Sequence, residues 1–338
     1  MVEMLQITLD GLLDGATYAL VGLGLSLTFG SLRRLNLAYG ATAMLAAYVG
    51  AWLHLRHQAP VWLVALSVVV AATLIGCYVE RLCFATPRND AAQPRGALIA
   101  GADGREVVAL ASSFAVWMQL EQLAVNLLPR HLNAFPSLAV ERSWFLHLGA
   151  AELAVRPDRL LLALLAVTLT LGLAAWLERT RAGLAWRAAA DHRAAAHLAG
   201  LPVARLQLLG FAAACALSGM AAFAVLSLDG QVTPMFGMWV LFKGLVVALL
   251  GGLGCVRGVL RGGLMLGLAE AWAQAWWGAQ GREFTTYALL FAVLAWPRRG
   301  TLGPEASDAP GADAGPPPAG RMERAGLKAW WGAQGGRP

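Results

Sequence analysis

Runs of about 20 apolar residues recur along the chain, separated by short stretches that hold nearly all its arginines, and this alternation leaves few folds open. A helix of that length crosses the hydrocarbon of a bilayer while satisfying its own backbone N–H and C=O groups. Segments such as residues 160–177 are apolar on every side, so they lack the alternation with which barrel strands face a polar lumen. Charged residues are 14% of the 338, too few to clothe a water-facing surface when soluble domains carry about 25%. A water-soluble enzyme is thereby excluded, and 58% hydrophobic content excludes a disordered chain. The sequence predicts an all-α fold, a polytopic transmembrane helical bundle.

Nine apolar segments stand out, at about 5–29, 38–55, 60–80, 107–128, 160–177, 206–228, 239–256, 262–278 and 284–296, giving eight or nine spans. The first lacks a basic leading region and is too long for a signal-peptide core, so it is expected to be a span. The seventh and eighth are short and meet at Gly251-Gly252-Leu253-Gly254, followed by Gly258, Gly262 and Gly263. Such a run fits either a broken or re-entrant helix or close packing through small residues. With nine spans, nineteen basic residues fall on one side and six on the other, which places the C-terminus in the cytoplasm by the positive-inside rule. Residues 1–299 form the expected membrane domain, with a cytoplasmic loop at 178–205. The tail from 300 to 338 is rich in Pro, Gly and Ala and is expected to stay disordered. The string Ala-Trp-Trp-Gly-Ala-Gln-Gly occurs twice, at 275–281 and 329–335.

The chemistry-bearing residues argue for transport over catalysis. Cys77, Cys83, Cys215 and Cys255 lack CxxC spacing, the six histidines fall in or near loops, and no HExxH, GxSxG or GxxxxGK[ST] motif occurs. No metal site is expected, and any ATP hydrolysis must come from another chain. Asp10, Asp14, Glu121, Lys243 and Glu270 are the ionisable residues within apolar segments, where charge is expensive and by default functional. Asp10 and Asp14 read as solvated acids at a helix start, whereas Lys243 and Glu270 lie on neighbouring segments and could pair. The loop from Glu178 to Arg205 is alanine-rich and basic, with Gly200 and Pro202 as stop signals, and predicts a short helix beneath the membrane. Such a helix suits docking to a soluble partner or resting on anionic headgroups.

Three stretches carry a family resemblance. The first runs through Gly15-Ala16-Thr17-Tyr18-Ala19-Leu20 and Gly22 to Gly30, then Asn36-Leu37-Ala38-Tyr39-Gly40 and Met44 to Tyr48. The second is Arg181, Gly183, Ala185, Arg187, Ala188, Ala190, Ala196, Leu198, Gly200 and Arg205, in a loop that also holds Asp191 and Arg193. The third is Pro234, Gly237, Lys243, Gly251, Gly252, Gly254, Gly258, Gly262, Gly263, Gly267 and Glu270. In order and spacing the chain resembles the LivH-type permeases of branched-chain amino-acid ABC transporters from about residue 5 to 297. It departs in Tyr39, where the family usually has His, and in Arg257 and Arg261, where small or apolar residues are common.

The resemblance implies a multi-pass subunit of an ABC importer in the bacterial inner membrane, carrying branched-chain amino acids or related small amino acids and amides. It implies as partners two cytoplasmic ATPase subunits that use the ATP, a second related permease and a periplasmic binding protein, with no cofactor on this chain and no nucleic acid. The loop at 181–205 would couple to the ATPases. Asn36, Tyr39, Pro234, Gly237, Lys243, Gly251, Gly252 and Glu270 would line or flank the route. A secondary carrier or channel working without ATP is the competing reading.

Overall fold

A computed structural model describes residues 2–32, 35–84, 102–127, 133–138, 144–148 and 151–295, all within one unit, Met1–Pro297. The expected tail and most of the polar stretch from Asn89 to Gly104 lie outside the described residues. Each of the nine apolar segments is a helix: α1 (Val2–Leu32), α2 (Ala38–His57), α3 (Val61–Val79), α4 (Ala102–Leu127), α5 (Pro157–Arg179), α8 (Val203–Asp229), α9 (Phe236–Gly251), α10 (Val256–Trp277) and α11 (Ala279–Ala295). Between α5 and α8 lie two short helices, α6 (Arg181–Asp191) and α7 (Arg193–Leu198). The all-α expectation meets one small addition, an antiparallel hairpin of β1 (Trp144–Leu148) and β2 (Ala151–Val155).

The expected span count is not confirmed. Among the described residues five helices are long and apolar enough to cross a membrane, six if α9 and α10 count as one broken span. Length is the reason for α9 and α11. At 16 and 17 residues they reach about 24–26 Å at the helical rise, short of the roughly 30 Å hydrocarbon. Composition is the reason for α2, whose residues Ala38 to Tyr48 are all buried and include Gly40, Thr42 and several alanines, the pattern of a central core helix.

Small residues set the main helix contact. On α1, Gly11, Gly15 and Ala19 recur every fourth residue and meet Gly263, Gly267 and Ala271 of α10. A Cβ on Gly267 would collide with Gly11 O and Gly15 Cα. Close backbone approach of this kind holds helices together in lipid, where the hydrophobic effect between helices is absent. The glycine run between α9 and α10 proves to be both things the sequence allowed: the helices bend by 117°, and Gly251 then packs against Gly258 and Val259. Gly252 and Gly254 take φ of +88° and +83°, which glycine adopts without strain, and Gly254 N donates to Ser26 Oγ at 2.9 Å.

At the opposite end of α8, residues 133–138 run beside the turn that follows it. Phe135 N donates to Gly230 O at 2.9 Å and Val232 N to Asn133 O at 2.7 Å, and the Phe135 ring meets Phe223 edge-on at 5.9 Å. The first copy of the duplicated heptapeptide forms the junction of α10 and α11, with Trp276 and Trp277 exposed and Gly281 seated against Ala273. An exposed Trp pair at a helix end is the usual form of an interfacial anchor. The second copy lies outside the described residues.

Candidate functional site

Two constellations emerge, a buried charge cluster and an exposed basic elbow. The cluster is built on Glu270, whose side chain is 2% exposed. Lys243 Nζ donates to its two oxygens at 2.6 and 2.5 Å, Arg282 Nε donates to Oε2 at 3.1 Å, and the Thr286 hydroxyl donates to Oε1. Arg282 Nη2 also reaches Asp14 Oδ2 at 3.2 Å and the Tyr18 hydroxyl. Lys243 Nζ sits 4.2 Å from the Tyr18 ring centroid and 4.9 Å from that of Trp239, so the cation is shared between a carboxylate and two aromatic faces. Two cations and two carboxylates balance, and every charged group has a partner, the condition under which buried ions are tolerated.

Position along the chain explains the assembly. Asp14 and Tyr18 are one helical turn apart on α1, and Arg282 and Thr286 are likewise four apart on α11, so each pair presents one face. Lys243 and Glu270 come from the two arms of the bent pair. Two cavities flank the cluster, one of about 470 Å³ with Asp10, Asp14, Glu270 and Arg282 in its wall, the other of about 300 Å³ with Asp14, Tyr18, Trp239 and Lys243. Both also touch Arg159, which lies 3.7 Å from Asp10. The expectation of solvated acids is corrected for Asp14, which Arg282 of α11 ties into the cluster, whereas Asp10 stays 38% exposed with Arg159 beside it.

The other expected route residues scatter. Asn36 is buried at the start of α2 with neither side-chain polar atom hydrogen-bonded. Tyr39 is buried with its hydroxyl donating to Val21 O at 2.8 Å, packed over Gly24, and lines neither of the two cavities. Gly237 meets Gly40 backbone to backbone, Pro234 is exposed in the turn before α9, and Gly251 and Gly252 shape the break. The structure thus brings Lys243 and Glu270 together and leaves the remainder in packing positions, at a separate cavity or, for Pro234, in an exposed turn.

The elbow departs from the single short helix expected beneath the membrane. His192 takes an extended conformation (φ −138°, ψ 90°) and divides it into α6 and α7. Thr180 caps α6 by accepting from Gly183 N at 3.0 Å, and a Cβ on Gly183 would come within 2.6 Å of Trp176 O, so the chain can reverse tightly out of α5. Arg181, Arg187 and Arg205 are exposed, Gly200 ends α7, and Leu198 is 89% exposed. Asp191 closes α6, and Arg193 opens α7. Trp186 anchors the elbow: its indole lies against Gly210 of α8 and Gly30 of α1 and packs with Leu27, Leu177 and Ala214. Beside it Arg257 Nη2 meets Glu178 Oε2 at 2.5 Å, tying α10 to α5 and giving the unusual arginine a partner.

Sequence reasoning missed Arg282 and Trp186. The signal for the first was an intramembrane acid, Asp14, in need of a cation; for the second it was a lone indole in an alanine-rich helix. Among the described residues no three His, Cys, Asp or Glu side chains gather to hold a metal ion.

Comparison with known proteins adds a family. A family described as "Branched-chain amino acid transport system / permease component" matches residues 7–295. The high-affinity branched-chain amino acid transport system permease protein BraD of Pseudomonas aeruginosa is 25% identical over 307 residues, 88% of this chain and 95% of BraD. The corresponding LivH of Escherichia coli K12 is 26% identical over 308 residues, with the same 88% and 95% coverage. A chain of the solved structure "PsaBC from Streptococcus pneumoniae in complex with Fab" aligns over 85% of this chain and 89% of its own length, with a TM-score of 0.43 and 12% identity.

Proposed function

The chain belongs to the branched-chain amino acid transport system permease family, and from that premise we propose that it is the membrane-spanning permease subunit of an ABC importer for branched-chain or related small amino acids and amides. It carries no catalytic chemistry of its own. Energy comes from two ATPase subunits docked on the elbow of α6 and α7, a second related permease completes the membrane part, and a periplasmic binding protein delivers the solute. The elbow faces the cytoplasm of a bacterial inner membrane, as does the C-terminus, in keeping with the distribution of basic residues.

The family match over residues 7–295, laid on a bundle in which five of the described helices are long and apolar enough to cross a membrane, carries this reading. The elbow supports its mechanical part. Exposed arginines and Leu198 offer a docking face, and Trp186 joins that face to α1 and α8, so a push on the elbow would move the bundle as a rigid-body shift. The charge cluster would serve as an internal tie between α1, α9, α10 and α11 at the flanking cavities.

The test is a mild-detergent pull-down of the tagged chain, with ATPase activity measured on the recovered complex, repeated with Arg187→Glu and Arg205→Glu together. An ATPase recovered with the parent and lost with the variant is the expected result. Recovery of the chain alone, with ATP-independent transport in liposomes, would overturn the proposal.

A further inference from the structure

A third cavity, of about 400 Å³, lies apart from the charge cluster, between α1, the start of α2, α4 and α9. Leu25, Phe114, Leu241 and Leu245 make its wall apolar, with two polar exceptions, Asn36 and Glu121. Asn36 is 1% exposed, and neither its Oδ1 nor its Nδ2 has a hydrogen-bond partner. Burial without partners costs an amide its hydration and returns nothing, so native proteins seldom keep such a group without a use. Glu121, an intramembrane acid outside the charge cluster, is fixed by Trp117 Nε1 donating to its Oε2 at 2.9 Å. Close by, Leu37 N donates to Ser113 Oγ at 3.4 Å, which ties the start of α2 to the helix that carries Glu121.

We propose that this cavity holds the transported solute as a zwitterion with an apolar side chain. Glu121 receives the ammonium, Asn36 Nδ2 donates to the carboxylate, and the side chain lies against Leu25, Leu241 and Leu245. The chemistry discriminates among occupants. A lipid acyl chain would leave the Asn36 amide unpartnered and Glu121 without a cation, and a simple cation would have no use for the apolar wall. The volume lies within the range of small-molecule sites, which are mostly apolar with a few placed polar groups. This inference rests on the permease reading and assigns, within it, where this chain would hold its substrate.

The experiment uses the assembled transporter in proteoliposomes and ATP-driven uptake of radiolabelled L-leucine, competed with leucinol, which lacks the carboxylate, and with 4-methylpentanoate, which lacks the amine. The wild type should prefer leucine to both. Asn36→Ala should lower uptake about tenfold, the loss of one hydrogen bond to a charged group, while its thermal midpoint stays level or rises, since an orphan amide has been removed. Glu121→Gln should erase the preference over 4-methylpentanoate, and Leu245→Trp should block uptake by filling the space. Unchanged uptake and competition in all three variants overturns the site and leaves the permease reading standing. Loss of uptake together with a fallen midpoint in Asn36→Ala, with competition unchanged in Glu121→Gln, assigns both residues to structure and equally overturns it. A wild-type transporter that hydrolyses ATP yet takes up no branched-chain amino acid removes the substrate reading itself, and the site with it.

Discussion

Lys243 and Glu270 sit on opposite arms of the helix pair that bends by 117°, and their side chains meet at 2.5 Å, so an ion pair closes the angle from inside. Removing Glu270 strands the Lys243 cation in the bundle, at a cost of about 3–5 kcal/mol for a buried pair, and removing Lys243 leaves Glu270 to Arg282 and Thr286 alone. Lys243→Ala and Glu270→Ala should each be strongly destabilising, and the double variant should lose clearly less than the sum, read as thermal midpoints in detergent. The charge swap Lys243→Glu with Glu270→Lys should fail to rescue, because the new lysine would face Arg282. Strict additivity in the double variant would show that the two side chains are not energetically coupled.

The α1–α10 contact makes two glycine replacements diverge. Gly267→Ala would drive its Cβ against Gly11 O and Gly15 Cα and should cost about 1–3 kcal/mol, in the manner of an overpacked core. Gly172, inside α5, has nothing within 4 Å of where an added methyl would sit, so Gly172→Ala should be neutral or stabilise by up to about 1 kcal/mol through helix propensity alone. Paired melting curves in one detergent decide the matter, and equal shifts would refute the packing argument.

Trp186 gives the elbow a separable role. A Cβ at position 210 would collide with the indole Nε1, so Gly210→Ala must displace the ring and loosen α6 from α8. The expected result in the assembled transporter is ATP hydrolysis that persists while solute uptake falls about tenfold, equivalent to about 1.4 kcal/mol of lost coupling. Trp186→Phe, which keeps a ring over the glycine, should retain most uptake. Parallel loss of hydrolysis and uptake in Gly210→Ala would mean that the ring supports docking and carries no motion.

Much of this architecture is legible in the chain because its physics is local. Apolar runs mark the helices, glycine density marks the break between α9 and α10, and charges inside apolar runs single out Lys243 and Glu270. What escapes is set by distant partners. Arg282 stands in Gly281-Arg282-Glu283, a string that reads as a loop until Asp14 and Glu270 are found across from it. The division at His192 is likewise invisible, since alanines on both sides favour helix and only the path of the chain forces the turn. Eight or nine crossings are not confirmed among the described residues, because α9 and α11 are short and the core of α2 is made of glycine, threonine and alanine as much as of larger apolar residues.

The tie between Asp14 and Arg282 joins residues 268 positions apart. At synthesis rates of about 5–20 residues per second, roughly 15–50 s separate the ribosome's delivery of the acid from delivery of its cation. Throughout that interval α1 must wait in the bilayer with a carboxylate unmet and its glycine stripe open, since α10 is made almost as late. Biogenesis of this subunit therefore calls for a holding environment beside the translocon, and a chain truncated before α10 would offer the cell's membrane proteases an unmatched acid on an unpacked helix.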